Sequence, residues 1–271
     1  IVFIVLSLTN VREQIFNAIP MNLKSAVSVG IGLFIAFIGL QNAHIVIGGA
    51  TLVELFSLDG YNSSTGLEAT TSDVGITVLL AIIGVVITGI LVIKNVKGNI
   101  LWGILITWLL GIICQFTGLY VPNPDVSCYS LLPDFSNGLS IPSLAPIFGK
   151  LQFDGIFTLD FAVVVFAFLF VDMFDTIGTL IGVSSKANML DEEGKLPQIK
   201  GALLADAIAT TAGAVLGTST TTTFVESASG VTEGGRTGLT AVTTAILFGL
   251  SLFLSPIFLA IPSFATAPAL I

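Results

Sequence analysis

Apolar residues gather along this chain in runs near 20 residues rather than in short alternations. The runs cover 25–47, 75–93, 98–119, 161–183, 201–217 and 237–261. Each is about as long as an α-helix must be to cross the hydrocarbon of a bilayer. Transmembrane β-strands would alternate apolar and polar positions over roughly ten residues, and these runs do not alternate. The pattern predicts an all-α polytopic membrane protein in the cell membrane. The connections differ in length. NVKGN (95–99) is a tight basic turn that makes a helical hairpin of 75–93 and 98–119. The segment 120–158 carries Pro122, Pro124, Pro133, Pro142 and Pro146 and reads as a boundary between two halves, with SIPSLAPIF as a short interfacial helix.

Two stretches break the pattern. FAVVVFAFLFVDMFDTIGTLIGV (161–183) holds Asp172 and Asp175 in the middle of a span. An acid at that depth costs roughly 2.5–3.5 kcal/mol on insertion scales and marks a functional site by default. Three residues apart, the two lie on nearly one helix face. The second break is TSTTTTFVESASGVTEGGRTG (218–238), polar where the alternation of sides requires a crossing. Its β-branched threonines suit an extended strand better than a helix. VESASG would then open a short helix, with Glu226 in its first turn. Irregular backbone at bilayer depth is tolerated only when buried in protein or lining a cavity, and it marks substrate sites in secondary transporters.

Composition sharpens the class. The chain is 54% hydrophobic and 10% charged, against about 25% charged for soluble domains. The net charge of −8 gives no reason to expect nucleic acid. Arg12, Lys24, Lys94, Lys97, Lys186, Lys195, Lys200 and Arg236 fall on one side of the predicted spans, and only Lys150 on the other. Glu54, Asp59, Glu68, Asp73, Asp125, Asp134 and Asp154 occupy the opposite loops. The bias of basic residues toward the cytoplasm places loops 10–24, 94–97, 184–200 and 233–237 inside. Both ends fall within apolar runs, IVFIVLSL (1–8) and FATAPALI (264–271), so the chain reads as a fragment. The first run lacks the charged leader and cleavage site of a signal peptide and reads as the end of a span. Cys114 and Cys128 form no motif, His44 reads as a packed histidine, and no metal or cofactor is expected.

The candidate site is Asp172, Asp175 and Glu226, with backbone amides near 222–226. Carboxylates crowded in a low dielectric resist full ionisation, so one that exchanges a proton between the two faces of a membrane is a natural coupling element. A carboxylate accepting two N–H bonds also reads a flat heterocycle, and purines offer ring and exocyclic N–H donors. The bland alternative is that these acids serve helix packing, and for Asp206 the two readings stand even. So do neutralisation and inside bias for Arg236.

VDMFDTIGTLIGV (171–183), GALLADA (201–207) and GTSTTTTFVESASGVTEGGRTGLTAV (217–242) closely resemble the nucleobase–cation symporter-2 superfamily, in particular its guanine/hypoxanthine and adenine permease branch. AVSVGIGLFIAFIGLQNA (26–43) is similar to that branch too. The resemblance implies two inverted repeats of seven spans, a core and a gate domain, and broken spans that meet at midmembrane. On that plan residues 1–24 are the end of a core span and a cytoplasmic linker, and 25–119 are gate spans of the first repeat. Residues 120–158 are the outer loop between repeats. Residues 159–255 are core spans of the second repeat, with the broken span at 218–232, and 256–271 begin its gate domain. The resemblance further implies that Asp172, Asp175 and Glu226 bind the base and carry proton coupling. Thr222, Thr223 and Phe224 would meet the ligand, Phe224 either stacking on the base or packing.

The expected function is purine nucleobase import by proton symport with alternating access, without enzyme activity. The expected partners are a purine and the lipid bilayer, with a homodimer left open. A transporter of the same fold carrying uracil, xanthine or an anion is the alternative. An intramembrane aspartyl protease is the remote one, since its two aspartates must come from different helices. A channel would want a ring of selectivity groups from several subunits.

Overall fold

A computed structural model describes residues 2–18, 20–49, 51–136, 138, 141, 143–152, 155–191 and 195–271. Pro142, Asp154, residues 192–194 of the charged loop and the Lys24 side chain lie outside the described residues. The chain divides into two compact units, residues 1–32 with 142–243 and residues 33–141 with 244–271.

The first unit contains α1 (Val2–Leu8), α2 (Val11–Ala18), the start of α3 (Met21–Asn42), α7 (Leu159–Lys186), α8 (Ile199–Leu216), α9 (Ser227–Thr232) and the start of α10 (Gly238–Ser251). Its apolar centre is Met173, Ile177 and Ile181 of α7 against Ile199 and Leu203 of α8, with Phe3 and Ile15 packed on them. The spacing of four along each helix is what places these side chains on one stripe. α1 and α2 both pack on α8, and α9 packs on α7. The connection 10–24 is thus largely helical among its described residues.

The second unit contains the rest of α3, β1 (Val46–Gly49), β2 (Leu52–Leu55), α4 (Leu58–Thr65), α5 (Ile76–Ile93), α6 (Asn99–Phe116), the rest of α10, α11 (Ser255–Leu259) and α12 (Ser263–Thr266). A π-helical turn, Thr71–Gly75, leads into α5. The predicted hairpin of α5 and α6 forms, with α12 seated on both. Its two helices meet at glycines that face threonines. A Cβ on Gly84 would come 2.7 Å from the Thr107 hydroxyl, and one on Gly103 would collide with that of Thr88. Close approach of small residues is the packing expected where lipid gives no hydrophobic drive between helices.

α5 with its leading turn, α6, α7 and α8 are long and apolar enough to cross a membrane; Val29–Asn42 and Gly238–Ser251 are shorter apolar helices. The chain is a mostly helical, multi-pass membrane protein. Three expectations are corrected. The run 237–261 is split, because Pro256 begins α11 and cannot extend the helix before it. The end of the run 25–47 leaves the helix at Asn42 and becomes strand β1, paired antiparallel with β2, Val46 opposite Leu55. Within SIPSLAPIF (140–148), residues 145–148 form turns rather than a helix.

Candidate functional site

α7 is the backbone of the site. Thr158 caps its start by accepting from the Phe161 amide at 3.3 Å. Asp160 in its first turn and Lys186 in its last complement the helix dipole. One face carries exposed Phe166 and Phe170, whose rings lie 4.7 Å apart. Farther along the same stripe, toward the helix C-terminus, Met173, Ile177, Ile181 and Ser184 are buried, with Thr176 beside them. Asp172 and Asp175 sit at the margin of the buried stripe and are half-buried. The Oδ2 atom of Asp172 is enclosed and has no hydrogen-bond partner.

The threonine segment passes beside this face. α8 ends at Gly217, whose φ of 80° is the left-handed conformation glycine adopts without cost. Residues 218–224 are then neither helix nor paired strand, and α9 begins at Ser227. The expected break therefore exists, although no strand ladder forms in it among the described residues. Two contacts hold the segment on the α7–α8 pair. The Thr176 and Thr222 hydroxyls are 3.3 Å apart, and the Thr210 hydroxyl of α8 donates to the Thr221 carbonyl at 2.8 Å. Gly213 makes room, since a Cβ there would lie 2.8 Å from the Thr218 hydroxyl. The Thr222 hydroxyl also faces the Asp175 carboxylate, and Glu226 is a like-charged neighbour of Asp175.

The structure thus brings Asp172, Asp175, Thr222 and Glu226 together. Thr223 is half-buried, while Phe224 and Glu226 are exposed. Glu233 and Arg236 are exposed and are not among the charged neighbours of Asp172 and Asp175. A cavity of about 390 Å³ opens against Asp172, walled by Phe3, Phe161, Phe168, Thr210 and Thr220. That size falls within the range of small-molecule sites, roughly 300–1,000 Å³, and its walls are apolar around a few polar groups. A larger cavity, about 530 Å³, lies in the second unit between Gln41, Tyr61, Tyr120 and Phe264 and contains no acid.

Two members of the cluster were not visible in the sequence. In the charge pattern Arg12 is one of the basic residues on the cytoplasmic side; in the fold it is 1% exposed and forms an ion pair with Asp206 at 3.0 Å. Thr176 is fully buried between Thr222 and the Asp206 carboxylate. A signal for Arg12 exists: it stands three residues before Ile15, on the face of α2 that joins the core. Elsewhere the quieter readings hold. His44 packs edge-on against Tyr61 with centroids 5.2 Å apart, and both cysteines are free thiols. Among the described residues no group of His, Cys, Asp and Glu is arranged to hold a metal.

Residues 1–271 match the family Xan_ur_permease, described as a permease family. A putative permease of Methanocaldococcus jannaschii is 46% identical over the whole chain, and the guanine/hypoxanthine permease PbuG of Bacillus subtilis is 43% identical over the whole chain. The adenine permease AdeP of Escherichia coli is 38% identical over 99% of the chain. These relatives are permeases and not enzymes. The chain spans 56%, 56% and 54% of their respective lengths.

Proposed function

The chain belongs to the Xan_ur_permease family, and from that premise we propose that it is part of a transporter that imports purine nucleobases. The observation that carries this reading is the half-buried pair Asp172 and Asp175 beside the irregular segment 218–224. The relatives named as guanine/hypoxanthine and adenine permeases support the choice of purines. In this reading the carboxylates accept ring and exocyclic N–H groups of the base. Thr222 and Thr223 add hydroxyls, Phe224 offers a ring face, and Glu226 closes the acid side. The coupling ion is a proton, carried by the same carboxylates. The unit holding α7 and α8 is the core, and the unit holding α5 and α6 is the gate. Transport proceeds by alternating access. The parent repeats the seven-span plan in inverted form, as a homodimer, with loops 10–24, 94–97, 184–200 and 233–237 in the cytoplasm.

The test is uptake of labelled hypoxanthine by cells expressing the full-length parent, competed by adenine, guanine, xanthine and uracil. The reading expects competition by purines, collapse of uptake with a protonophore, and loss of uptake in Glu226→Ala. Competition by uracil or by anions alone would overturn the substrate. Uptake that ignores the protonophore and follows a sodium gradient would overturn the coupling ion.

A further inference from the structure

The Arg12–Asp206 pair takes no direct part in the function proposed above, and Arg12, 1% exposed, is the most deeply buried charged residue among the described residues. The Arg12 guanidinium donates to the Asp206 carboxylate at 3.0 Å, to the Leu203 carbonyl at 3.0 Å and to the Ser7 hydroxyl at 3.4 Å, and it lies 4.3 Å from the centre of the Phe3 ring. One short helix is therefore locked to α8 through a cation. The lock is not saturated. Arg12 Nε and Asp206 Oδ1 are both buried without a partner, and so is Asp172 Oδ2 on the neighbouring helix. Asp172 has Arg12, Asp206 and Asp175 as its charged neighbours. An ion pair that served packing alone would be expected to fill its hydrogen bonds, because each buried unmade bond costs free energy. Here three unfilled polar atoms on three helices surround the acids of the site.

We propose that Arg12 is a positioning residue of the purine site: held by Asp206, its buried guanidinium is the fixed positive charge against which Asp172 and Asp175 are set. The charged groups facing the pair are Asp172 and Asp175 from α7, with Glu226 beyond Asp175. α1 contributes only the Ser7 hydroxyl and the Phe3 ring. Among the charged neighbours of Asp172 within the described residues, Arg12 is the cation. The inference rests on the purine reading for its functional half, while its electrostatic half stands without substrate.

The experiment uses the purified full-length parent and four variants: Arg12→Gln, Arg12→Lys, Arg12→Gln combined with Asp206→Asn, and Leu203→Ala. The last trims the same core without touching charge. Thermal stability is followed from pH 5 to pH 8 without substrate, and uptake of labelled hypoxanthine is measured on reconstituted protein. Uncompensated carboxylates are tolerated when protonated and not when ionised, so the stability deficit of Arg12→Gln should widen as pH rises. It should narrow again in the double variant and be small in Arg12→Lys, while the Leu203→Ala deficit stays parallel to wild type. Uptake should fall at least about tenfold in Arg12→Gln, a change of about 1.4 kcal/mol, and recover in part in Arg12→Lys. An Arg12→Gln profile parallel to wild type, like that of Leu203→Ala, would reduce Arg12 to packing and overturn the proposal. If wild type takes up no purine, the proposed function falls, and the pH profiles still decide the role of Arg12.

Discussion

Two aspartates, one buried and one half-buried, divide the molecule. Asp73, at the start of α5, accepts from the Thr70 amide at 2.6 Å, the Val74 amide at 2.5 Å and the Asn123 side chain at 3.2 Å. Asp172, in the middle of α7, leaves an enclosed oxygen without a partner. The contrast extends to their surroundings. In the second unit the Trp108 indole donates to the Leu131 carbonyl at 3.0 Å and the Tyr120 hydroxyl to the Tyr129 carbonyl at 2.6 Å. Among the described residues, the buried side-chain atoms with no partner are those of Arg12, Asp172, Thr179 and Asp206, and all four residues belong to the first unit. Native proteins satisfy nearly all buried polar groups. A cluster of exceptions around two intramembrane acids therefore separates a site from a scaffold, where counting acids alone does not.

The comparison can be broken most forcefully at Asp206. Asp206→Ala leaves the Arg12 charge buried and alone, which should cost about 3–5 kcal/mol of stability, read as a drop in Tm of the full-length parent. A loss under 1 kcal/mol would mean that water reaches Arg12. A smaller effect is expected in the scaffold. Gly103→Ala drives a methyl against Thr88 between α5 and α6 and should cost about 1–3 kcal/mol, as overpacking does, with purine affinity unchanged. The smallest effect concerns Cys128. Burial, with the Asp73 charge behind it, pushes its thiol up to about 11. Its thiolate is thus about a hundredfold scarcer at neutral pH than that of an ordinary cysteine. Alkylation of Cys128 should be correspondingly slow in native protein and become ordinary on unfolding. Fast labelling of the native thiol would show the scaffold to be looser than drawn.

Much of this was legible in the chain. The apolar runs gave α5, α6, α7 and α8, because length and lack of alternation leave little else for such segments to be. The acids of α7 stood out because charge within a span is costly, and the break after Gly217 because a row of threonines makes a poor helix. What escaped notice depends on tertiary neighbours. Arg12 and Asp73 look like loop charges in any charge count, and only the folded chain shows one against Asp206 and the other under Asn123. The split at Pro256 was readable from the proline, but hydropathy runs across it. The β1–β2 hairpin was hidden because Val46 and Ile47 extend the apolar run of α3 without a change in composition.

The most direct test of the central claim is a pair of binding titrations with labelled hypoxanthine on the purified full-length parent, alongside Tm. Asp172→Asn alters a carboxylate with one enclosed oxygen that the fold leaves without a hydrogen bond, and Asp73→Asn alters one whose two oxygens are both hydrogen-bonded. The account predicts that Asp172→Asn weakens binding by about 10- to 100-fold, the worth of one charged hydrogen bond, with Tm near wild type. It predicts that Asp73→Asn lowers Tm and leaves Kd unchanged. Unaltered binding in Asp172→Asn, or loss of binding in Asp73→Asn at full occupancy of the folded state, would contradict it.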